Sequence, residues 1–338
     1  MSHPPSQAPS VTPAPGEIEA ARRALGDAVL ETPVHAWRGP EIAAAGPQGA
    51  TVLAKLELFQ VTGTFKARGA LTNLLRMSEA DRKRGVTAVS AGNHAIAVAY
   101  AARALGSSAK VVMPKSAPPF RRARAESYGA EVILTENIAE AFETGLRIQE
   151  QEGRTLIHPF EGANTVLGTA TVGWELCRQA AARDFDLDAV IVPVGGGGLI
   201  AGVAAAVKQL RPDCRVYGVE PEGAPAIRRS LDAGKPVKID AVATIADSLG
   251  APYATPGTFA MIQRHVDDVV LVDDTAIRRA MRFVFDNLKL AVEPACAAGT
   301  AALTGPLKER LAGQRIGLVF CGTNIGHDTF CKHLADAE

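Results

Sequence analysis

The sequence predicts an α/β protein built on two open, twisted, mostly parallel sheets with helices on both faces. Two observations predict it. Short apolar runs at 51–56, 86–90, 110–113, 131–134, 189–194, 215–219 and 316–320 alternate with longer segments of helical character, among them 93–105, 139–150, 199–210 and 275–288. That alternation is the mark of strands joined by crossover helices. Several of the runs, such as AVIVPV at 189–194, also lack in–out alternation, as expected of strands buried on both faces.

A chain of 338 residues, 47% hydrophobic and 21% charged, has the material for a large core and about two domains. Lys plus Arg equals Asp plus Glu at 36 each, so no charge excess draws the protein to nucleic acid or to an anionic membrane. No stretch approaches the ~20 unbroken apolar residues of a membrane span. The five cysteines, Cys177, Cys214, Cys296, Cys321 and Cys331, are odd in number and widely spaced, with no CxxC. That spacing argues against a disulfide framework or a zinc cluster and for a reducing compartment, the cytoplasm. Residues 1–16 are rich in Pro, Ser and Ala and lack the basic start and apolar run of a signal peptide; a disordered tail is expected.

Ligands of open α/β sheets gather beyond the carboxyl ends of the strands, and three such junctions carry unusual chemistry. In the first, the strand at 189–194 runs into Gly195, Gly196, Gly197 and Gly198, and a helix follows at Leu199. Inward-pointing backbone N–H groups and the positive end of a helix make an anion cup suited to phosphate. Gly196, Gly198 and Ala201 also fit GxGxxA, and the next strand ends in Glu220. This leaves open a dinucleotide, and with it a nicotinamide (NAD)-dependent oxidoreductase. Against that reading, the unit lies in the second half of the chain, and the other two junctions have no place in hydride transfer.

The second junction is KLELFQVTGTFKARGA at 55–70, where a helix begins near Phe65 and Lys66 sits in its first turn. The helix end and burial beside Phe65 both disfavour the ammonium form, and a neutral amine is what Schiff-base chemistry requires. In the third, VTAVSAGNHA at 86–95, Ser90, Ala91, Gly92, Asn93 and His94 present N–H groups at a helix N-terminus, a site for a carboxylate. The Asn93 amide can donate to a phenolate oxygen. Helix capping by Ser90 or Asn93 is compatible with this, and His94 is read as structural rather than as a base.

The lysine segment resembles the motif of the fold-type-II pyridoxal 5'-phosphate (PLP) enzymes, in the branch of threonine and serine dehydratases and serine racemases. Members carry TGSFKxRGA, and here Thr64 stands for the usual serine. The resemblance runs from about Glu17 onward and rests on several motifs in the family's order. It implies the tryptophan synthase β-like fold, with a large domain from 17–75 and 163–338 and a small domain at 76–162. It implies PLP joined to Lys66, with Phe65 packed near its ring and Asn93 on the ring oxygen. The phosphate would lie on Gly195, Gly196, Gly197, Gly198 and Leu199, and the substrate carboxylate on Ser90 to His94. Cys321, in RIGLVFCGTNIG at 315–326, would face the pyridine nitrogen. A neutral thiol there leaves the ring a weaker electron sink than a carboxylate would, which favours β-elimination over transamination.

Racemases of this family use a serine at the position of Ala91 as a second acid–base group. Alanine cannot transfer a proton, so the resemblance implies dehydration, with racemisation as the alternative. Glu293, in AVEPACAAG at 291–299, matches the family's EPxxA segment, bordering the cofactor or organising water; it also fits the start of a Pro-initiated helix. EPEGAPA at 220–226 resembles a segment where some relatives bind a divalent cation. Ala226 replaces an acidic ligand there, so Glu220 is left as a candidate and no essential metal is expected. GTATVGWE at 168–175 departs from GQGTxxxE, with Thr169 for Gln and Ala170 for Gly. The substrate therefore stays open among L-threonine, L-serine, 3-hydroxyaspartate and a bulkier β-hydroxy amino acid. The expected protein is a PLP-dependent ammonia-lyase that converts a small hydroxy amino acid to a 2-oxo acid and ammonia. As a partner it has that substrate, with neither nucleic acid nor membrane, in a homodimer or homotetramer without an appended regulatory module.

Overall fold

The structure, a computed structural model, describes residues 12–337. Within them ten strands form two sheets. They are β1 (Val34–Trp37), β2 (Thr51–Lys55), β3 (Val86–Val89), β4 (Ala109–Pro114), β5 (Glu131–Thr135), β6 (Thr155–Leu156), β7 (Ala189–Pro193), β8 (Arg215–Pro221), β9 (Asp268–Val272) and β10 (Arg315–Val319). The larger sheet has the order β1-β2-β10-β7-β8-β9 and the smaller β5-β4-β3-β6. Every pairing is parallel except β1 with β2. The smaller sheet is drawn wholly from 86–156, between β2 and β7 of the larger one.

All seven expected strands form, as do the four expected helices, as Asn93–Ala104, Ile138–Glu152, Gly198–Leu210 and Asp274–Leu288. Three further strands lie outside the expectation. β1 and β9 are edge strands with partly exposed residues, and β6 has two residues, so none carries a long buried run. β7 is buried at all five positions, and Val190, Ile191, Leu318, Phe320 and Val219 lie in one core cluster. Each such side chain contributes about 1.5–3 kcal/mol on burial. Residues 1–11 of the expected tail lie outside the described residues. Its last residues differ from the expectation, because Pro15 and Gly16 open the helix Pro15–Leu25. Pro at the first helical position loses no hydrogen bond, and the Glu17 carboxylate accepts from Ala14 N at 2.8 Å. Among the described residues no helix is long and apolar enough to cross a membrane.

The helix Lys66–Leu75 is fixed to the larger sheet by buried charge. Arg68 is fully buried and grips two carboxylates bidentately, Glu57 (2.8 and 2.8 Å) and Glu175 (2.8 and 2.7 Å). Its remaining reach goes to Thr171 Oγ1 and Leu30 O at 3.1 Å. Lys55 Nζ, at the end of β2, donates to Glu175 and Thr32 O at 2.7 Å, and Arg22 reaches Glu175 at 2.6 Å. Burial opposes ionisation of Glu175, yet Arg68 and Lys55 hold its carboxyl below the usual range.

Both sheets have a topological switch point. β7, β8 and β9 advance in one direction, and β10 returns to the other side of β7, beside β2. In the smaller sheet β3, β4 and β5 advance, and β6 returns beside β3. Crevices at such points receive ligands.

Candidate active site

At the larger sheet's switch point three neighbouring strands release three segments together. β2 leads to Thr64 and Lys66, β10 to Cys321, and β7 to the glycine run. The first two are knitted by backbone bonds. Phe65 N donates to Cys321 O (3.2 Å), Thr323 N donates to Gly63 O (3.0 Å), and Thr64 pairs with Gly322. Opposite them, the smaller sheet's switch point releases Ser90–His94 after β3 and His158–Phe160 after β6.

Lys66 is the first residue of its helix, with Phe65 at the N-cap. Its Nζ donates to Pro159 O at 2.5 Å and lies 5.2 Å from the Phe65 ring centre. Phe65, Lys66, His94, His158, Thr169 and Gly198 line one narrow enclosure. Burial lowers the Lys66 amine to about 8, against the opposing pull of Cys321 and Glu293. Both imidazoles are held neutral, His94 near 3 and His158 near 4, first by burial and then by Lys66. His94 Nε2 lies 2.8 Å from Ile157 O, which it serves as donor. His158 Nδ1 accepts from Phe160 N (3.3 Å) and Glu161 N (3.0 Å). His94 is thus a satisfied structural histidine at the wall of the enclosure.

Asn93 and Glu293 meet in a polar network that spans the two sheets. Asn93 Nδ2 donates to Glu293 at 2.8 and 3.1 Å and to Ser248 Oγ at 3.2 Å, and its Oδ1 accepts from Asn324 at 2.8 Å. Arg121 adds an ion pair with Asp247 at 2.5 Å, donates to Asn324 O at 3.0 Å, and lies 3.5 Å from Glu293. Burial pushes the Glu293 carboxyl up to about 7, against the pull of Arg121 and Asn93. Glu293 is also the N-cap of Pro294–Thr304, with no capping bond from its side chain, so its carboxylate is left for the network. A hydrogen bond with Cys296, together with burial, raises the Cys321 thiol well above its ordinary value, which keeps it neutral. Ser90 Oγ accepts from Gly92 N at 3.1 Å, and Ser90 and Ala91 are partly exposed.

The four glycines do not share one environment. Gly197 adopts φ +88°, the left-handed region that favours glycine, and a Cβ there would overlap Ile262. Gly195 abuts Leu249, while a Cβ at Gly196 would overlap the Phe160 ring and one at Gly198 would come within 2.6 Å of Phe160 O. The Leu199 side chain belongs to the core, leaving its N–H as the group it can offer.

Glu220 bears on two alternatives that the sequence leaves open. It is fully buried, and its carboxylate accepts from Ile227 N (2.8 Å) and Arg228 N (2.7 Å) at the start of the helix Ala226–Ala233. Burial raises it to about 8 despite those bonds. It caps a helix, and neither a ribose nor a cation finds a free carboxylate there. Among the described residues, no group of three or more His, Cys, Asp or Glu could hold a metal ion.

Arg121, Asp247, Ser248, Asn324, His158 and Phe160 were not anticipated. The signal for His158 and Phe160 was a fourth polar junction after a strand, hidden because β6 is so short. The others come together only through the tertiary fold.

Comparison with known proteins finds relatives along most of the chain. A family model described as pyridoxal-phosphate dependent enzyme matches residues 26–322. Phenylserine dehydratase of Ralstonia pickettii is 57% identical over 286 residues, 85% of this chain and 86% of that protein. The crystal structure of a T.th. threonine deaminase superposes with a TM-score of 0.86 at 39% identity, covering 93% of this chain and 99% of the other. Maize serine racemase superposes at 0.88 with 35% identity, covering 96% and 98%.

Proposed function

The chain belongs to the pyridoxal-phosphate dependent enzyme family, and from that premise we propose that Lys66 carries the cofactor and that the substrate is a 3-hydroxy amino acid bearing an aryl group, of the phenylserine type. The enzyme is a PLP-dependent lyase that dehydrates hydroxy amino acids. The observation that carries the assignment of Lys66 is its amine, lowered to about 8 where the β2, β7 and β10 segments converge.

The residues fit the cofactor. The turn at Gly196 and Gly198 is bare main chain so close to Phe160 that a side chain would collide, and its N–H groups would be the donors that a phosphate meets. Lys66 would hold the aldehyde carbon, Gly195–Gly198 and Leu199 the phosphate, Asn93 the ring oxygen, Phe65 a ring face, and the neutral Cys321 the ring nitrogen. When bound, PLP supplies the electron sink that makes a Cα proton removable. Within Ser90–His94 the Ser90 N–H is spent on Val112 O (3.1 Å) and the Gly92 N–H on Ser90 Oγ (3.1 Å), so the substrate carboxylate is left the N–H groups of Ala91, Asn93 and His94, which dock it and orient Cα. Lys66 Nζ takes the Cα proton, and the β-hydroxyl departs as water with a proton that the phosphate held at the glycine turn would supply. The released enamine tautomerises and hydrolyses to a 2-oxo acid and ammonia. Ala91 offers no proton on the opposite face, and His94 and His158, both neutral, add no second positive charge beside Lys66.

The aryl preference rests on the 57% identity with the Ralstonia protein, against 39% with the threonine ammonia-lyase of Thermotoga maritima. Incubation with phenylserine, threonine, serine and 3-hydroxyaspartate is expected to give the fastest 2-oxo acid formation from phenylserine. A higher kcat/KM for threonine would overturn the preference. Uptake of PLP by the apoenzyme is expected to rise about tenfold between pH 7 and 9 and then level off, as an amine near 8 loses its proton. A rise that continued towards pH 10.5 would mark an ordinary lysine. The two sheets are taken as the cores of a large domain (17–75 and 163–338) and a small domain (76–162). A cytoplasmic homodimer or homotetramer is the expected assembly, read by light scattering of the holoenzyme.

A further inference from the structure

Thr169 sits in the helix Ala163–Ala181 and is 2% exposed. Its hydroxyl has one proton and three carbonyls in reach, Thr165 O at 3.1 Å, Val166 O at 3.0 Å and Gly198 O at 2.7 Å. The first two lie in its own helix. The shortest contact crosses to the helix Gly198–Leu210, on the first carbonyl of that helix. The approach depends on Gly202, where a Cβ would overlap Thr169 Oγ1 and come within 2.5 Å of Ala170 N. A second buried hydroxyl acts in the same way earlier in the turn, since Thr258 Oγ1 donates to Gly196 O at 3.2 Å while also meeting Thr255 Oγ1 at 2.7 Å.

A peptide unit is planar, with its C=O and the following N–H pointing in opposite directions. Fixing the Gly198 carbonyl therefore fixes the Leu199 N–H, and fixing the Gly196 carbonyl fixes the Gly197 N–H. We propose that Thr169, seconded by Thr258, is a positioning residue for the cofactor phosphate: it aims the main-chain donors of the glycine turn by holding the carbonyls behind them. The inference rests on the reading that this turn takes the phosphate. It gives the departure from the family's Gln at position 169 a role, because a short branched hydroxyl reaches the Gly198 carbonyl from within a helix pair closed by Gly202.

The test titrates apoenzyme with PLP and records the 31P resonance of the holoenzyme for Thr169→Val, Thr169→Ser, Thr258→Val and Gly196→Ala, with apoenzyme melting as a check on folding. Thr169→Val keeps the shape and removes the proton. It is expected to weaken PLP binding about tenfold and move the 31P resonance, while Thr169→Ser stays within about twofold of the parent. Thr258→Val should act in the same direction and carries the test if Thr169→Val does not fold. Parent-like affinity and 31P resonance in both valine variants would overturn the inference, as would a serine variant no better than valine. If Gly196→Ala binds PLP as the parent does, the phosphate site itself is misassigned. If Gly196→Ala alone weakens binding, the turn stands and the threonine role falls.

Discussion

Replacing Lys66 with alanine is expected to lower kcat/KM for 2-oxo acid formation by at least about a thousandfold, the scale on which a positioned acid–base group acts. The residue is asked to do two things, to hold the cofactor and to move the Cα proton, and no neighbour can take over either. His94 and His158 share the enclosure but are neutral, near 3 and 4, and both are committed to backbone partners. Borohydride reduction of the PLP-loaded parent should add the cofactor's mass to the peptide containing Lys66 and add none to the variant. Turnover at the parent rate would remove this amine from the chemistry.

The second large effect lies away from the site. Glu175→Ala is expected to destabilise the protein by about 3–5 kcal/mol, the cost of stripping one partner from a buried ion cluster. Two carboxylates, Glu57 and Glu175, face Arg68, Lys55 and Arg22, and the side chains of Arg68 and Lys55 are fully buried. Removing Glu175 leaves Lys55 without its ion pair and Arg68 with one carboxylate. The urea midpoint reads the effect. Arg68 belongs to the helix that starts at Lys66, so the variant should also bind PLP more weakly. A change below about 1 kcal/mol would place the cluster among solvated pairs of little consequence.

Much of this was legible in the residues. β7 and its glycine run could be read because an unbroken buried run followed by Gly195–Gly198 has few other physical uses, and Lys66 because TGTFKARGA resembles the family's lysine motif, where its place at a helix start alone left the role open. The neutral character expected of Cys321 agrees with the raised thiol, although its bond to Cys296 could not be read from spacing. What was hidden is what only the tertiary fold assembles. Arg121 and Asp247 are 126 residues apart and Asn93 and Glu293 200 apart, and no local pattern marks them. Glu220 was open in the sequence as a ribose partner from its strand-end position and as a cation ligand from the resemblance of EPEGAPA, and its carboxyl is spent on two N–H groups of a helix seven and eight residues on.

The place of β10 bears on how the protein is made. This strand is the last of the ten to leave the ribosome yet lies between β2 and β7, so the centre of the sheet stays open during synthesis. A nascent chain halted before Arg315 has both flanking strands with unpaired edges and lacks Cys321. Such non-local closure is slow and leaves strand edges exposed to aggregation. Cofactor capture should therefore follow the emergence and docking of β10, and termination before it should yield insoluble, colourless fragments.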